Sequence, residues 1–103
     1  MKKLSNKVAL VTGGSEGIGF SSALYLASEG CNLVLVSRDK KKLEKATNRI
    51  KKKYKIKCLA VQGDVANPNL PSKVFSKIKK EFNRLDILIN NSGGPPMGSF
   101  LYQ

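Results

Sequence analysis

At 103 residues, 41% of them hydrophobic and 25% charged, the chain is long enough for one small domain and too apolar to be disordered. Its net charge of +12, from 19 basic and 7 acidic residues, attracts polyanions and cofactor phosphates alike. No apolar run reaches the length of a membrane span or signal peptide, and the chain has no histidine and only two cysteines, Cys31 and Cys58, neither in a CxxC pair. Neither a metal site nor a disulfide is therefore expected, and the expected location is the cytoplasm.

In chain order, the first apolar run, Val8 to Val11, reads as a β-strand. The glycine-rich segment Thr12-Gly13-Gly14-Ser15-Glu16-Gly17-Ile18-Gly19 follows, and a helix is predicted from Gly17 to Glu29. Gly30 stands where a helix wants a left-handed closing residue, a conformation glycine adopts without steric cost. A second strand is predicted over Leu33 to Val36, then a helix capped by Asp39. Its apolar residues Leu43, Ala46, Ile50 and Tyr54 recur at helical spacing, lysines fill the other faces, and Lys51-Lys52-Lys53 suit the negative end of the helix dipole. A third strand is predicted over Ile56 to Val61. A third helix follows from about Pro71, with Val74, Phe75, Ile78 and Phe82 as its apolar stripe, and then a fourth strand over Leu85 to Ile89.

The strand runs are mostly continuous rather than alternating in polarity, as in strands covered on both faces. Alternation of strand and helix with short connections predicts an α/β fold with an open parallel sheet, its four strands in the doubly wound order 3-2-1-4. In that order the turn after the first strand lies at the switch point, where ligands bind. Gly13 permits the tight turn, and Gly17 and Gly19 let the backbone approach a phosphate and the helix pack on the sheet. Unpaired N–H groups and the positive end of the helix dipole then face a pyrophosphate. A dinucleotide site is the expectation, against the plain alternative of a structural turn.

The spacing T-G-x-x-x-G-I-G resembles the N-terminal half of the short-chain dehydrogenase/reductase family. Gly63-Asp64-Val65 after the third strand resembles the family segment whose aspartate holds the adenine ring, and Asn90-Asn91-Ser92-Gly93 resembles its N-N-A-G, with serine for alanine. Leu85 to Asn90 is similar to the strand leading into that segment, and Gly94-Pro95-Pro96 is similar to members related to 3-oxoacyl carrier-protein reductases. The resemblance implies a Rossmann-like fold. It implies a cofactor-binding set of Gly13, Ser15, Glu16, Gly17, Ile18, Gly19, Ser37, Arg38, Asp64, Val65, Asn90, Asn91 and Gly93. Asp64 has a competing role as a turn former, and the two asparagines a competing role as a bridge between strands.

Cofactor type turns on the end of the second strand. An acid there binds the ribose 2′-OH of NAD, but this chain has Ser37 followed by Arg38, whose guanidinium can fork onto a 2′-phosphate, with Lys41 and Lys42 nearby. NADP is therefore expected over NAD. Glu16 argues the other way, because some NADP-binding members carry a basic residue at that position, and Asp39 is also close, although its expected role is to cap the helix. No catalytic residue is assigned. The resemblance implies a Tyr-x-x-x-Lys pair, yet Glu29 lies four residues past Tyr25, Cys58 four past Tyr54, and Tyr102 is the penultimate residue.

The expectation is an incomplete Rossmann domain over 1–103 that is marginally stable and inactive by itself. It would have open apolar surface over strands one and four, and a second chain could supply the missing half. The alternatives are a non-catalytic dinucleotide-binding module or decayed remnant and, more remotely, a basic nucleic-acid binder. Lysines ringing a helix without interleaved aromatics argue against the last.

Overall fold

The computed structural model describes residues 3–91. In chain order the elements are β1 (Val8–Thr12), α1 (Gly17–Ser28), β2 (Asn32–Ser37), α2 (Lys40–Lys53), β3 (Cys58–Gln62), α3 (Leu70–Glu81) and β4 (Ile87–Asn90). The strands pair in parallel in the order β3-β2-β1-β4, the doubly wound order expected.

Side chains alternate across the sheet, so each strand feeds two cores. Ala9, Val11, Leu33, Leu35 and Cys58 point to the layer formed by α1 and α2, where they meet Ala23, Leu26, Leu43 and Ile50. Val8, Leu10, Val34, Val36 and Val61 point to the other face, where α3 supplies Leu70, Val74 and Ile78. β1 and β2 thus lie between two apolar layers, which is why their sequences read as unbroken apolar runs.

The helices end for visible reasons. Gly30, with φ +87°, closes α1: its N–H donates to Ala27 O and the Cys31 N–H donates to Leu26 O, both at 3.0 Å. That pair of bonds is a Schellman motif, and it turns the chain straight into β2. The Asp39 carboxylate caps α2 by accepting from the Lys42 N–H at 3.1 Å. Leu43, Ala46, Thr47 and Ile50 are the buried face of α2. α3 starts one residue before Pro71, which sits in the first turn, where its missing N–H costs nothing.

Both ladder entries begin later than the apolar runs suggest. At β3 the Asn32 side chain accepts the Lys57 N–H at 3.0 Å, so a side chain stands where the ladder would place a main-chain partner, and pairing starts at Cys58. At β4 the Asp86 carboxylate accepts the Val8 N–H at 2.8 Å while Arg84 grips both carboxylate oxygens at 2.9 and 2.8 Å. Pairing then starts at Ile87.

One expectation is corrected. Apolar surface was expected to lie open over both the first and fourth strands, but all five residues of β1 are buried, Val8 and Leu10 being 1% and 0% exposed. Phe82, Leu85 and Leu88 pack over that face beside α3 and close it. Of the two strands, only β4 is incompletely covered: its Ile87, Leu88 and Ile89 are half-buried at the sheet edge.

Cys31 and Cys58 are free and buried, and burial pushes both thiols up to about 11. Among the described residues no helix is long and apolar enough to cross a membrane.

Candidate functional site

The carboxyl ends of the four parallel strands lie along one edge of the sheet, and the segment after β1 folds back over that edge. Gly13 takes φ +66°, and its N–H donates to Val36 O at 2.8 Å, tying the turn to the end of β2. A Cβ at Gly19 would run into the Gly13 carbonyl and press on the Asn91 side chain at 3.0 Å, so the first turn of α1 lies directly against the end of β1. Gly17, at φ +61°, has open space where its side chain would be. The α1 N-terminus therefore presents bare backbone to solvent, with Ile18 beside it 73% exposed.

Hydroxyls and amides join the strand ends. Thr12 Oγ1 donates to Asn90 Oδ1 at 2.8 Å and accepts the Asn91 N–H at 3.0 Å, fastening the exit of β4 to that of β1. Ser15 and Ser37 share a hydroxyl hydrogen bond of 2.9 Å, fastening the glycine turn to the exit of β2. The Gly63 N–H donates to Ser37 O at 3.0 Å, which brings the exit of β3 alongside.

Between these exits lies an open cavity of about 830 Å³. Gly13, Ser15 and Glu16 line it from the turn, Ser37 and Arg38 from the exit of β2, and Asp64, Val65 and Asn91 from the exits of β3 and β4. Those candidates from the sequence come together. Gly17, Ile18, Gly19 and Asn90 lie outside the lining, while Gly93 and the segment Gly94-Pro95-Pro96 fall outside the described residues. Asp64 is exposed, and its Oδ1 accepts the Ala66 N–H at 2.9 Å, so it forms a turn and borders the cavity at once.

Sequence reasoning missed the role of Thr12. Its position as a hydroxyl ending an apolar run was the available signal. Sequence reasoning also missed that Lys42 pairs with Glu16, at 3.2 and 3.3 Å to its two oxygens, and that both border the cavity. Arg38 is exposed, with its backbone carbonyl accepting from Gln62 at 3.4 Å.

The residues suit a diphosphate linked to two nucleosides. Gly13 borders the cavity without a side chain, Gly19 lets α1 start directly against the end of β1, the start of α1 offers donors and a positive dipole end, and the walls carry the cations Arg38 and Lys42. Glu16, Asp39 and Asp64 border the same cavity, so its walls offer acceptors for ribose hydroxyls beside the two cations.

Comparison with known proteins bears on this arrangement. The profile of the short chain dehydrogenase family matches residues 7–102. Among curated relatives, the (+)-neomenthol dehydrogenase of Capsicum annuum is 43% identical over 95 residues, covering 89% of this chain and 30% of that protein. The peroxisomal 2,4-dienoyl-CoA reductase of Danio rerio is 38% identical over 91 residues, covering 88% of this chain and 30% of the relative. Among solved structures, L-sorbose reductase from Gluconobacter frateurii, complexed with NADPH and L-sorbose, superposes with a TM-score of 0.86 at 39% identity, covering 89% of this chain and 35% of that one. A metagenomic short-chain oxidoreductase in complex with NADP superposes with a TM-score of 0.81 at 32% identity, covering 87% and 40%. The chain spans 30% to 40% of the length of these proteins.

Proposed function

The chain belongs to the short-chain dehydrogenase family, and on that premise we propose that it is a dinucleotide-binding region that prefers NADP(H) to NAD(H). The whole protein would be an oxidoreductase that moves a hydride between that cofactor and a carbonyl or hydroxyl substrate. The observation that carries the preference is the exit of β2: Ser37 stands there instead of a carboxylate, and Arg38 follows it on the cavity wall. A carboxylate would hydrogen-bond a free 2′-OH and repel a 2′-phosphate, whereas a guanidinium binds the phosphate with two parallel N–H donors.

The other candidates take parts by position. Gly13, Gly17 and Gly19 leave the main chain of the turn open to the pyrophosphate, and Ser15 and Ile18 flank it. Asp64 and Val65 border the cavity where an adenine would lie, with Asp64 as acceptor for its amino group. Asn90 and Asn91 hold the exit of β4 toward the nicotinamide side, and Gly93 continues that segment in the sequence. When bound, the cofactor supplies the hydride. These residues hold it and orient it.

We assign residues 1–103 to one portion of a larger Rossmann unit, with further strands adding beside β4 from the rest of the protein or from a second chain. Without a Tyr-x-x-x-Lys pair the chain by itself should reduce no carbonyl substrate: loss of positioned acid–base catalysis alone costs about 10²- to 10⁴-fold in rate. Free, buried Cys31 and Cys58 suit a reducing compartment, and we place the protein in the cytoplasm.

Titration with NADPH and NADH, followed by cofactor fluorescence, tests the reading. NADPH should bind more tightly. Arg38→Met should weaken NADPH by about tenfold or more, the worth of a charge-assisted hydrogen bond, and weaken NADH much less. Tighter binding of NADH, or equal losses for both cofactors, would overturn the preference.

A further inference from the structure

Lys42 occupies the first turn of α2, the end of a helix where a cation is least welcome. Its ammonium is met there by Glu16, 26 residues earlier, and spans both carboxylate oxygens. Glu16 is the N-cap residue of α1, yet its side chain makes no bond to that helix, so its carboxylate is available to a partner across the cavity. The two side chains are 55% and 68% exposed, and both border the cavity that Arg38 borders. An ion pair so exposed is weak and opens readily.

We infer that Glu16 and Lys42 form a charge latch that grades the cavity between phosphorylated and unphosphorylated ribose, Glu16 acting through Lys42 and not on the phosphate itself. With the latch closed, Lys42 is neutralised and Arg38 alone faces a 2′-phosphate. With the latch open, Lys42 joins Arg38. A dianionic phosphate must therefore compete with Glu16 for Lys42, while a 2′-hydroxyl has no such competitor. The latch narrows the margin of preference for the phosphorylated cofactor although Ser37, not a carboxylate, ends β2. The inference rests on the reading that this cavity takes the adenosine ribose.

Adenosine 2′,5′-bisphosphate and 5′-AMP isolate the effect, because they differ only in the 2′-phosphate. Their Kd values are measured by calorimetry at low ionic strength for the full chain, Glu16→Gln, Lys42→Gln and the double variant, with circular dichroism confirming that each is folded. Glu16→Gln should shift the ratio of the two affinities about threefold toward the bisphosphate, the scale of an exposed ion pair. In the Lys42→Gln background the same substitution should leave the ratio in place. Equal shifts in both backgrounds would mean that Glu16 simply repels phosphate, and would overturn the latch, as would no shift in either. Failure of both mononucleotides to bind at millimolar concentration would also overturn it. The NADP reading is judged separately on Arg38→Met: a ratio insensitive to that change sinks the reading, whatever the Glu16 and Lys42 variants do.

Discussion

Two glycines of the same turn serve opposite needs. Gly17 has a positive φ and empty space around it, so Gly17→Ala should cost only the left-handed backbone penalty, about 1 kcal/mol. Gly19 has helical backbone but no room, because any Cβ collides with the Gly13 carbonyl. Gly19→Ala must push α1 off the end of β1 and should cost about 3 kcal/mol, at the upper end for overpacking. Urea unfolding midpoints check both, and equal costs would place the crowding elsewhere. The same spacing of glycines is visible in the sequence, but which of them is crowded depends on where α1 settles. Asp86 makes a different prediction. Its bond to Arg84 holds its carboxyl below the ordinary 3.8 against the opposing effect of burial, with the Val8 N–H adding to the lowering. A carboxyl lowered on folding stabilises the fold above its unfolded value and loses that contribution as pH falls through its folded one. The stability gap between the chain and Asp86→Asn should therefore be full above about pH 5 and close progressively below 3.8. A gap that persists unchanged into strong acid would show that charge is not its origin.

At the scale of elements, apolar runs and glycine punctuation located all seven elements, since β1 to β3 carry buried apolar residues, β4 half-buried ones, and α2 and α3 helical stripes. What escaped is instructive. Each strand was expected to end on its last apolar residue, Val11, Val36, Val61 or Ile89, and each runs one residue further, to Thr12, Ser37, Gln62 or Asn90. Those four polar residues end the strands at the edge where the site forms, so hydrophobic patterning stops just short of it. The bond from Thr12 to Asn90 and that from Ser15 to Ser37 depend on which strand exits become neighbours, and local sequence does not carry that. The caps, by contrast, were legible because they are local. Asp39→Ala removes the acceptor for the Lys42 N–H and should lower stability by about 1 kcal/mol, read from the thermal or urea transition. No loss would mean that solvent serves that N–H equally well.

Across the whole molecule, stability should be graded from the centre of the sheet to its β4 edge. β1 pairs on both sides and is buried throughout, whereas β4 pairs on one side and is half-buried. Amide hydrogen exchange should be slowest in β1 and β2 and fastest, among the strands, in β4. Uniform protection across the strands would contradict that gradient. The strand order is that of doubly wound sheets, in which the chain adds β2 and β3 on one side of β1 and then reverses to add β4 on the other. The same order has a consequence for a chain emerging from the ribosome. β2 and β3 can join β1 early, but the remaining flank of β1 waits for a partner whose last residue, Asn90, is 28 positions after Gln62. At ordinary rates of translation that wait lasts about one to six seconds. Throughout it, the future centre of the sheet is its exposed margin, open to any extended peptide nearby, and the Asp86 carboxylate that will seal Val8 has yet to be made.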